Sequence, residues 1–250
     1  MIIIKSEKEI EKMRQAGRIA ARAMEKVLAA VRPGVTTGEL DRIAFDFIIG
    51  AGATPSFKGY GGFPGSICAS VNEQVVHGIP GHRRLKEGDI LSVDMGAYLH
   101  GFHSDMARTV GVGEISAEAQ RLIDVTKESF YRGIAQAIPG NRIYHISKAV
   151  EDYAKENGMG VVKELIGHGV GQNLHEAPDV PNFVGRMKGP VLRAGMTLAV
   201  EPMLTLGSAR VVEADDGWTV STVDGKYSGH YENTIAILPE GPCEILTVAD

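Results

Sequence analysis

The 250-residue sequence has only two cysteines, Cys68 and Cys243, which is too few for a disulfide framework. It has no run of eighteen apolar residues, which excludes a membrane-spanning helix. It also lacks an excess of positive charge, and its net charge of −5 argues against an electrostatic surface for nucleic acid. The start, MIIIKSEKEIEK, turns acidic too early for a signal peptide. These absences leave a cytoplasmic enzyme or binding protein as the expected class.

The first half of the chain predicts two helices followed by strands. The S-x-x-E sequence at Ser6 to Glu9 is a capping box, and apolar residues at helical spacing follow it. Pro33-Gly34 ends this helix, and Thr36 to Glu39 forms a second capping box. Strand character begins near Ile67 and returns in the segment from Gly88 to Val110.

The second half repeats this order at a nearly constant offset. Pro139-Gly140 follows Pro33-Gly34 by 139 − 33 = 106 residues. The segment LKEGDILSVDMG, from Leu85, aligns with LRAGMTLAVEPM, from Leu192, at an offset of 192 − 85 = 107. Chance similarity of two short apolar segments is the alternative, but the whole helix and strand order repeats. We therefore predict one compact catalytic domain, residues 1–250, with pseudo-repeats of roughly 1–110 and 111–250.

Acidic residues occupy matching places in these two halves. Asp94 aligns with Glu201, and each follows an apolar run of strand character. Asp105 follows Asp94 across a turn-prone Leu99-His100-Gly101, where glycine supplies the positive φ of a tight hairpin. Closure at this turn would place Asp94 and Asp105 opposite each other, or one pair out of step. Two buried acids repel, so a metal cation is the expected compensation; a solvated hairpin with surface acids is the alternative.

Four carboxylates and one imidazole are the candidate metal ligands. They are Asp94, Asp105, His168, Glu201 and Glu232. The four negative charges balance two divalent cations, and oxygen-rich sites with one imidazole suit Mn, Fe, Co or Zn. Two ions close together can bridge one water, lower its pKa and hold a carbonyl, which predicts hydrolysis of a peptide or similar bond.

Two further histidines are candidates for the same site. His175 follows His168 in the glycine-rich GHGVGQNLH, where the backbone can fold closely around a site. His77 lies at a strand end, where catalytic groups are common. A structural role is the alternative for each histidine taken alone. Three others are predicted to lie on the surface or beside the ligands, namely His100, His103 and His230.

This ordered set, with GHGVG and VEPM around its last members, resembles type I methionine aminopeptidases of peptidase family M24. The resemblance covers nearly the whole chain, from the first helix to YENT. It implies the α+β pita-bread fold of creatinases and aminopeptidases, a pseudo-two-fold pair of α/β halves with a central antiparallel sheet and outer helices. It implies removal of the N-terminal methionine from nascent proteins, preferentially before a small second residue.

The resemblance also implies how the ligands are shared. Asp105 and Glu232 would bridge two divalent ions, which could be Co, Mn, Fe or Zn. Asp94 would complete one coordination sphere, and His168 and Glu201 would complete the other.

Catalytic roles follow from the same resemblance. A hydroxide bridging the two ions would attack the first peptide carbonyl, and Glu201 would also carry the proton. His77 and His175 would contact the scissile amide and steady the tetrahedral intermediate.

The resemblance places the methionine side chain among aromatic and sulfur-containing residues, which suit a flexible thioether. They are Tyr60, Phe63, Cys68 and Trp218, for which ordinary core packing is the alternative. The sequence departs from the best-known bacterial pattern at Phe57, Gly61 and Leu174, where a cysteine, a histidine and an aromatic are expected. A monovalent cation such as Na or K would bind near Asn72 and Ser228.

Other members of the fold family are alternatives. X-prolyl aminopeptidases and prolidases have a large additional N-terminal domain, whereas only 93 residues precede Asp94 here. Type II methionine aminopeptidases have an insertion between the last two ligands, which here are 232 − 201 = 31 residues apart. We also expect no zinc-binding N-terminal extension of the kind that some type I enzymes have, because no such segment precedes the first predicted helix.

A non-catalytic binding module is the alternative from another class. Such relatives have lost ligands and gained basic segments, whereas this acidic chain retains all five ligands. The resemblance implies that the partners are N-termini of nascent polypeptides, met at the ribosome by a monomer. From charge and hydropathy we expect it to bind neither nucleic acid directly nor membrane.

Overall fold

A computed structural model, which describes residues 1–249, has four α-helices in two consecutive pairs. They are α1 (Glu7–Ala30), α2 (Thr37–Gly50), α3 (Ala117–Ile134) and α4 (Ile143–Glu156). Both predicted capping boxes are confirmed. The Glu9 carboxylate accepts the Ser6 backbone N–H at 2.8 Å, and the Glu39 carboxylate accepts the Thr36 backbone N–H at 2.7 Å.

Short strands make up most of the remaining regular structure. In chain order they are β1 (Thr54–Pro55), β2 (Cys68–Val71), β3 (Gln74–Val76), β4 (Ile90–Met95), β5 (Ala97–Leu99), β6 (Phe102–His103), β7 (Met106–Gly111), β8 (Gly160–Val161), β9 (Gly167–Gly169), β10 (Glu176–Val180), β11 (Thr197–Val200), β12 (Met203–Thr205), β13 (Val211–Glu213), β14 (Val220–Thr222), β15 (Ser228–His230), β16 (Glu232–Ala236) and β17 (Glu244–Ile245).

The central sheet is antiparallel and takes strands from both halves of the chain. Its order is β10-β9-β11-β16-β7-β4-β2, with β17 paired to β16. The halves join where β7 pairs with β16, through the partners Ala107 and Glu232 and the partners Met106 and Asn233. The predicted α+β architecture, with a central antiparallel sheet, is therefore present.

Helices cover one face of this sheet. Because side chains alternate along a strand, the residues between the core residues point to the opposite face. In β4, Leu91 and Val93 pack in one hydrophobic cluster with residues of α1 and α2. In β11, Leu198 and Val200 pack in another cluster with residues of α3 and α4. Since neighbouring side chains on a strand point to opposite faces, Asp94 points away from the helices.

The two Pro-Gly pairs form the same turn in the two halves of the chain. The Gly34 N–H donates to the Leu85 carbonyl at 2.8 Å, and the Gly140 N–H donates to the Leu192 carbonyl at 3.1 Å. The φ angles of the two glycines are 90° and 89°, a region that favours glycine. The pseudo-symmetry is therefore visible in the backbone hydrogen bonds.

The predicted hairpin between the first two acids is confirmed. Its turn lies at His100-Gly101, with φ of 52° and 88°, and joins β5 to β6. The Cα partner of Asp94 is Ala107, two residues beyond Asp105. The two acids are thus one pair out of step, on one face of the hairpin.

No helix in the described part of the chain combines the length and apolar character needed to cross a lipid bilayer.

Close packing of α1 against the end of the chain gives a stability prediction. A Cβ added at Gly17 would lie 2.1 Å from the Leu246 carbonyl oxygen, so Gly17→Ala requires the backbone to shift. We expect a loss of about 1–3 kcal/mol in the free energy of unfolding, measured with urea. Gly50→Ala is the control, because a Cβ there meets nothing within 4 Å. Equal stability of the two variants would contradict the packing described here.

Candidate metal centre

The five candidate ligands lie on or beside five adjacent strands of the central sheet. His168 is in β9, Asp94 is in β4 and Glu232 is the first residue of β16. Glu201 directly follows β11, and Asp105 directly precedes β7. Because the strand order here is β9-β11-β16-β7-β4, residues separated by up to 138 positions in sequence are brought to one place.

Short distances join these side chains into one cluster. The His168 Nε2 atom lies 3.5 Å from Glu201 Oε1 and 3.8 Å from Asp105 Oδ2. Ligand atoms of Asp105, His168 and Glu232 all lie within 4.8 Å of one another. Three groups of this kind around one point can hold a metal ion.

The carboxylates have oxygens that no protein group satisfies. Asp94 Oδ1, Asp105 Oδ1 and Glu232 Oε1 are buried and lack a hydrogen-bond partner among the described residues. A buried oxygen anion without a partner carries a large desolvation cost. Oxygens left in this state, next to an imidazole, fit divalent cations as the missing partners.

The hydrogen bond of His168 prepares its ring for ligation. Nδ1 lies 2.9 Å from the Gly169 carbonyl oxygen, which can only accept, so Nδ1 carries the proton. The lone pair of Nε2 therefore faces the acids, as in many metal sites. Burial also lowers the pKa of His168 to about 4, which keeps the ring neutral.

The pKa values of all four acids are raised in the metal-free protein. Burial raises the pKa of Asp94 to about 7. Burial, followed by the charges of neighbouring acids, raises the pKa values of Asp105, Glu201 and Glu232 well above the usual range. Protons therefore compensate the negative charge wherever cations do not.

The acids open onto a cavity of about 230 Å³ with a largely apolar wall. All four residues predicted for the methionine pocket line it, as do both predicted catalytic histidines: Tyr60, Phe63, Cys68, Trp218, His77 and His175. Two of the three positions that depart from the bacterial pattern also line it, namely Phe57 and Leu174. The third, Gly61, lies at its edge, where an added Cβ would be 3.3 Å from the Trp218 ring.

His175 is held between the acids and the pocket wall. Its Nδ1 atom lies 2.8 Å from the Tyr60 hydroxyl, and its ring centroid lies 4.1 Å from that of His168. His77 lines the same cavity, with its ring centroid 6.4 Å from that of Trp218. Burial lowers the pKa of both histidines, so both are neutral and offer one N–H each.

Of the three histidines expected on the surface or beside the ligands, His230 lies beside the ligands. It is 2% exposed, and its Nε2 atom lies 3.7 Å from carboxylate oxygens of both Glu201 and Glu232. Burial lowers its pKa to about 3. A spacing of two residues from Glu232 is the available signal, since such residues share a face of an extended chain. Of the other two, His103 is half-buried beside Ser56, and His100 is exposed.

Asn72 and Ser228, predicted near a monovalent cation, are neighbours in the structure. The Ser228 N–H donates to the Asn72 carbonyl at 2.9 Å. The Asn72 side chain accepts from the Ile90 N–H and donates to Asp89. A cation at this place stays a prediction.

Known proteins resemble this chain over its whole length. The family model for metallopeptidase family M24 matches residues 11–239. A methionine aminopeptidase of Clostridium perfringens is 57% identical over 248 residues, which are 99% of each chain. The crystal structure of methionine aminopeptidase from Thermotoga maritima is similar with a TM-score of 0.97 and 43% identity, covering 99% of this chain and 100% of that chain.

A more distant likeness extends to prolidases. The prolidase from Pyrococcus furiosus matches with a TM-score of 0.78 and 22% identity, covering 99% of this chain and 66% of that chain. At this identity the likeness shows the fold alone. The fold shared by these structures is the pita-bread fold, so the fold predicted from the sequence is confirmed.

The raised pKa values predict how the stability of the metal-free protein depends on pH. Above about pH 7.5 the histidines are neutral in both the folded and unfolded states, because their ordinary pKa is about 6.5, and they no longer alter how stability depends on pH. The acids of the folded protein still hold protons that the unfolded chain has released. Stability should therefore fall as pH rises above about 7.5.

Thermal unfolding of chelator-treated protein at pH 7.5 and pH 8.5 is the measurement, and a lower Tm is expected at pH 8.5. Protein with saturating Mn²⁺ is the control, because bound cations replace the protons and the fall should disappear. A metal-free protein whose Tm rises over this range would contradict the assignment.

Proposed function

Since the chain belongs to metallopeptidase family M24, we propose that it is a methionine aminopeptidase, a metal-dependent hydrolase that removes methionine from protein N-termini. One observation carries this function more than any other. Three buried carboxylates, the largely buried Glu201 and His168 line one cavity together with aromatic and sulfur-containing side chains. The acids suit cations, and the cavity suits an unbranched apolar side chain with a thioether.

We propose that Asp94, Asp105, His168, Glu201 and Glu232 hold two divalent ions, with Asp105 and Glu232 shared between them. The unpaired carboxylate oxygens and the free Nε2 of His168 support this assignment. The four negative charges balance two such ions, and Co, Mn, Fe or Zn suits the ligand types. When bound, such ions would polarise the carbonyl of the first peptide bond and lower the pKa of water.

His77 and His175 are proposed as donors to the substrate carbonyl oxygen. Both line the cavity and both are neutral, so each has one N–H to offer as negative charge develops on that oxygen. The Tyr60 hydroxyl can donate to Nδ1 of His175 at 2.8 Å, which leaves the proton of the ring on Nε2. Tyr60 would thereby select the tautomer that donates.

Glu201 is proposed to carry the proton during hydrolysis. It is the ligand whose two oxygens face two different imidazoles, His168 and His230. Its carboxylate lines the same cavity as His77 and His175, where the substrate carbonyl is proposed to lie. It would accept a proton from the attacking water and pass it to the leaving amine.

The methionine side chain is proposed to occupy the apolar part of the cavity. Phe63 and Trp218 meet edge to face with ring centroids 5.1 Å apart, and Cys68 is buried beside Asp94. Thioether sulfur packs well against ring edges. Phe57 and Leu174, both nearly fully buried, fill other sides of the same pocket and would set its length.

An X-prolyl aminopeptidase is not favoured. The curated relative that is 57% identical over the full length is a methionine aminopeptidase, whereas the prolidase similarity shows the fold alone. A non-catalytic binding module is not favoured either, because all five candidate ligands and both catalytic histidines are present around one cavity.

We propose that the substrates are nascent polypeptides at the ribosome, that a small second residue is preferred, and that the enzyme acts as a cytoplasmic monomer. Residues 1–250 are proposed to form one catalytic domain, because the first half supplies Asp94 and Asp105 and the second supplies the other three ligands. A monovalent Na or K ion near Asn72 and Ser228 is proposed from the sequence resemblance.

Release of the N-terminal residue from two peptides tests the function. Metal-stripped protein should cleave neither Met-Ala-Ser nor Ala-Pro-Ala, and added Co²⁺ or Mn²⁺ should restore cleavage of the first only. Cleavage of the Ala-Pro bond instead would indicate an X-prolyl enzyme, and no cleavage with any metal would return the binding-module alternative.

Two substitutions separate the metal ligands from the catalytic histidines. Glu232→Ala should abolish turnover and lower metal occupancy, because a shared ligand is lost. His175→Ala should retain metal but lose roughly 10²-fold in kcat, as for one oxyanion donor. Elemental analysis and steady-state kinetics on the same preparations are the measurements.

His82→Ala is the control for loss of an imidazole, because His82 is exposed. Loss of metal in the His175 variant would make that residue a ligand instead. Normal turnover in the Glu232 variant would exclude the shared ligand set.

A further inference from the structure

His230 is a buried histidine of the metal centre that no protein group satisfies. It is 2% exposed, and neither of its ring nitrogens has a hydrogen-bond partner among the described residues. Its Nε2 atom lies 3.7 Å from Glu201 Oε2 and 3.7 Å from Glu232 Oε2. The ring is therefore directed between two carboxylates that are proposed to hold cations.

The backbone of His230 is fixed, so the ring has little freedom to leave this place. The Thr109 hydroxyl accepts the His230 N–H and donates to the His230 carbonyl, both at 2.8 Å. The Ser92 hydroxyl lies 2.7 Å from that of Thr109. On its other side, His230 pairs with Met203 in the sheet formed by β15 and β12. A residue supported in this way can orient its neighbours.

A comparison with His168 indicates which ring nitrogen of His230 carries the proton. A ligating imidazole offers one lone pair and donates its other N–H to an acceptor. His168 has that acceptor, the Gly169 carbonyl at 2.9 Å from Nδ1. His230 has no acceptor near Nδ1, whereas two acid oxygens face its Nε2. A proton on Nε2 is favoured, since a bare lone pair there would face the oxygens of Glu201 and Glu232.

We propose that His230 is a positioning residue, whose Nε2–H orients the carboxylates of Glu201 and Glu232 toward the cations without itself binding one. This inference rests on the proposed metal site. Separations of 3.7 Å exceed a hydrogen bond, so the attraction is that of an N–H dipole for two acids. Burial makes this attraction stronger than it would be in water. Such support of ligating groups commonly matters as much as a ligand itself.

Two substitutions at this position test the proposal. His230→Gln retains an N–H donor on a side chain of similar reach, whereas His230→Leu removes every polar atom. Cation affinity is measured by competition with a chelator, and kcat is measured at saturating Mn²⁺. The leucine variant should bind cations about 10–100-fold more weakly, and the glutamine variant should stay close to the unsubstituted protein. Unchanged affinity in the leucine variant would overturn the proposal.

A count of ligating imidazoles distinguishes positioning from ligation. In the Co²⁺-loaded protein, a ligated ring gives a strongly shifted, solvent-exchangeable N–H resonance in the proton NMR spectrum. We expect one such resonance, absent in His168→Gln and retained in His230→Gln. A second resonance that disappears in His230→Gln would make His230 a ligand and overturn the proposal.

Positioning and ligation can still be distinguished if the leucine variant fails to fold. The glutamine variant and the unsubstituted protein still give the number of shifted N–H resonances. An unsubstituted protein that binds no Co²⁺ gives a different result, which overturns the proposed function itself.

Discussion

The burial of four carboxylates at one place on a β-sheet is the constraint on which the rest of the structure depends. Asp94, Asp105, Glu201 and Glu232 are each penalised by burial, and most are penalised further by one another. Without metal, protons reduce this cost, whereas bound divalent cations would remove it. Because the acids come from both halves of the chain, bound cations would also hold the two halves together.

The polar cluster can exist only because the sheet separates it from the hydrophobic core. Leu91 and Val93 pack with α1 and α2, while Asp94 points to the opposite face. A slip of one residue in the pairing of β4 with β7 would exchange these faces. The register is therefore set by the apolar residues, and the acids follow from it. In the second half, Leu198 of β11 pairs with Ile235 of β16, and both belong to one hydrophobic cluster, so apolar residues set the register there as well.

The groups around the acids divide the remaining tasks. Tyr60, Phe63 and Trp218 form an apolar wall that can select a side chain. His77 and His175 line the same cavity, where neutral rings can donate to a carbonyl oxygen. In the proposed function, selection and chemistry would therefore take place in one cavity, although the residues come from distant parts of the chain.

The sequence by itself determined the capped helices, the hairpin of Asp94 and Asp105, and the internal repeat. Each of these depends on local spacing: capping boxes, a turn at His100-Gly101, and an apolar run before each acid. The matching places of Asp94 and Glu201 follow from the repeat, and the resemblance based on the ordered ligands added the expected fold.

Only the tertiary structure decided that His230 lies beside Glu201 and Glu232 and not on the surface, and that Tyr60 reaches His175. The Thr109 hydroxyl bonds to a residue 121 positions away, and the Tyr60 hydroxyl bonds to one 115 positions away. Such contacts depend on how β7 pairs with β16 and on how the loops close over the sheet. Local spacing contains no information about them, because the same short segments could pack against many different neighbours.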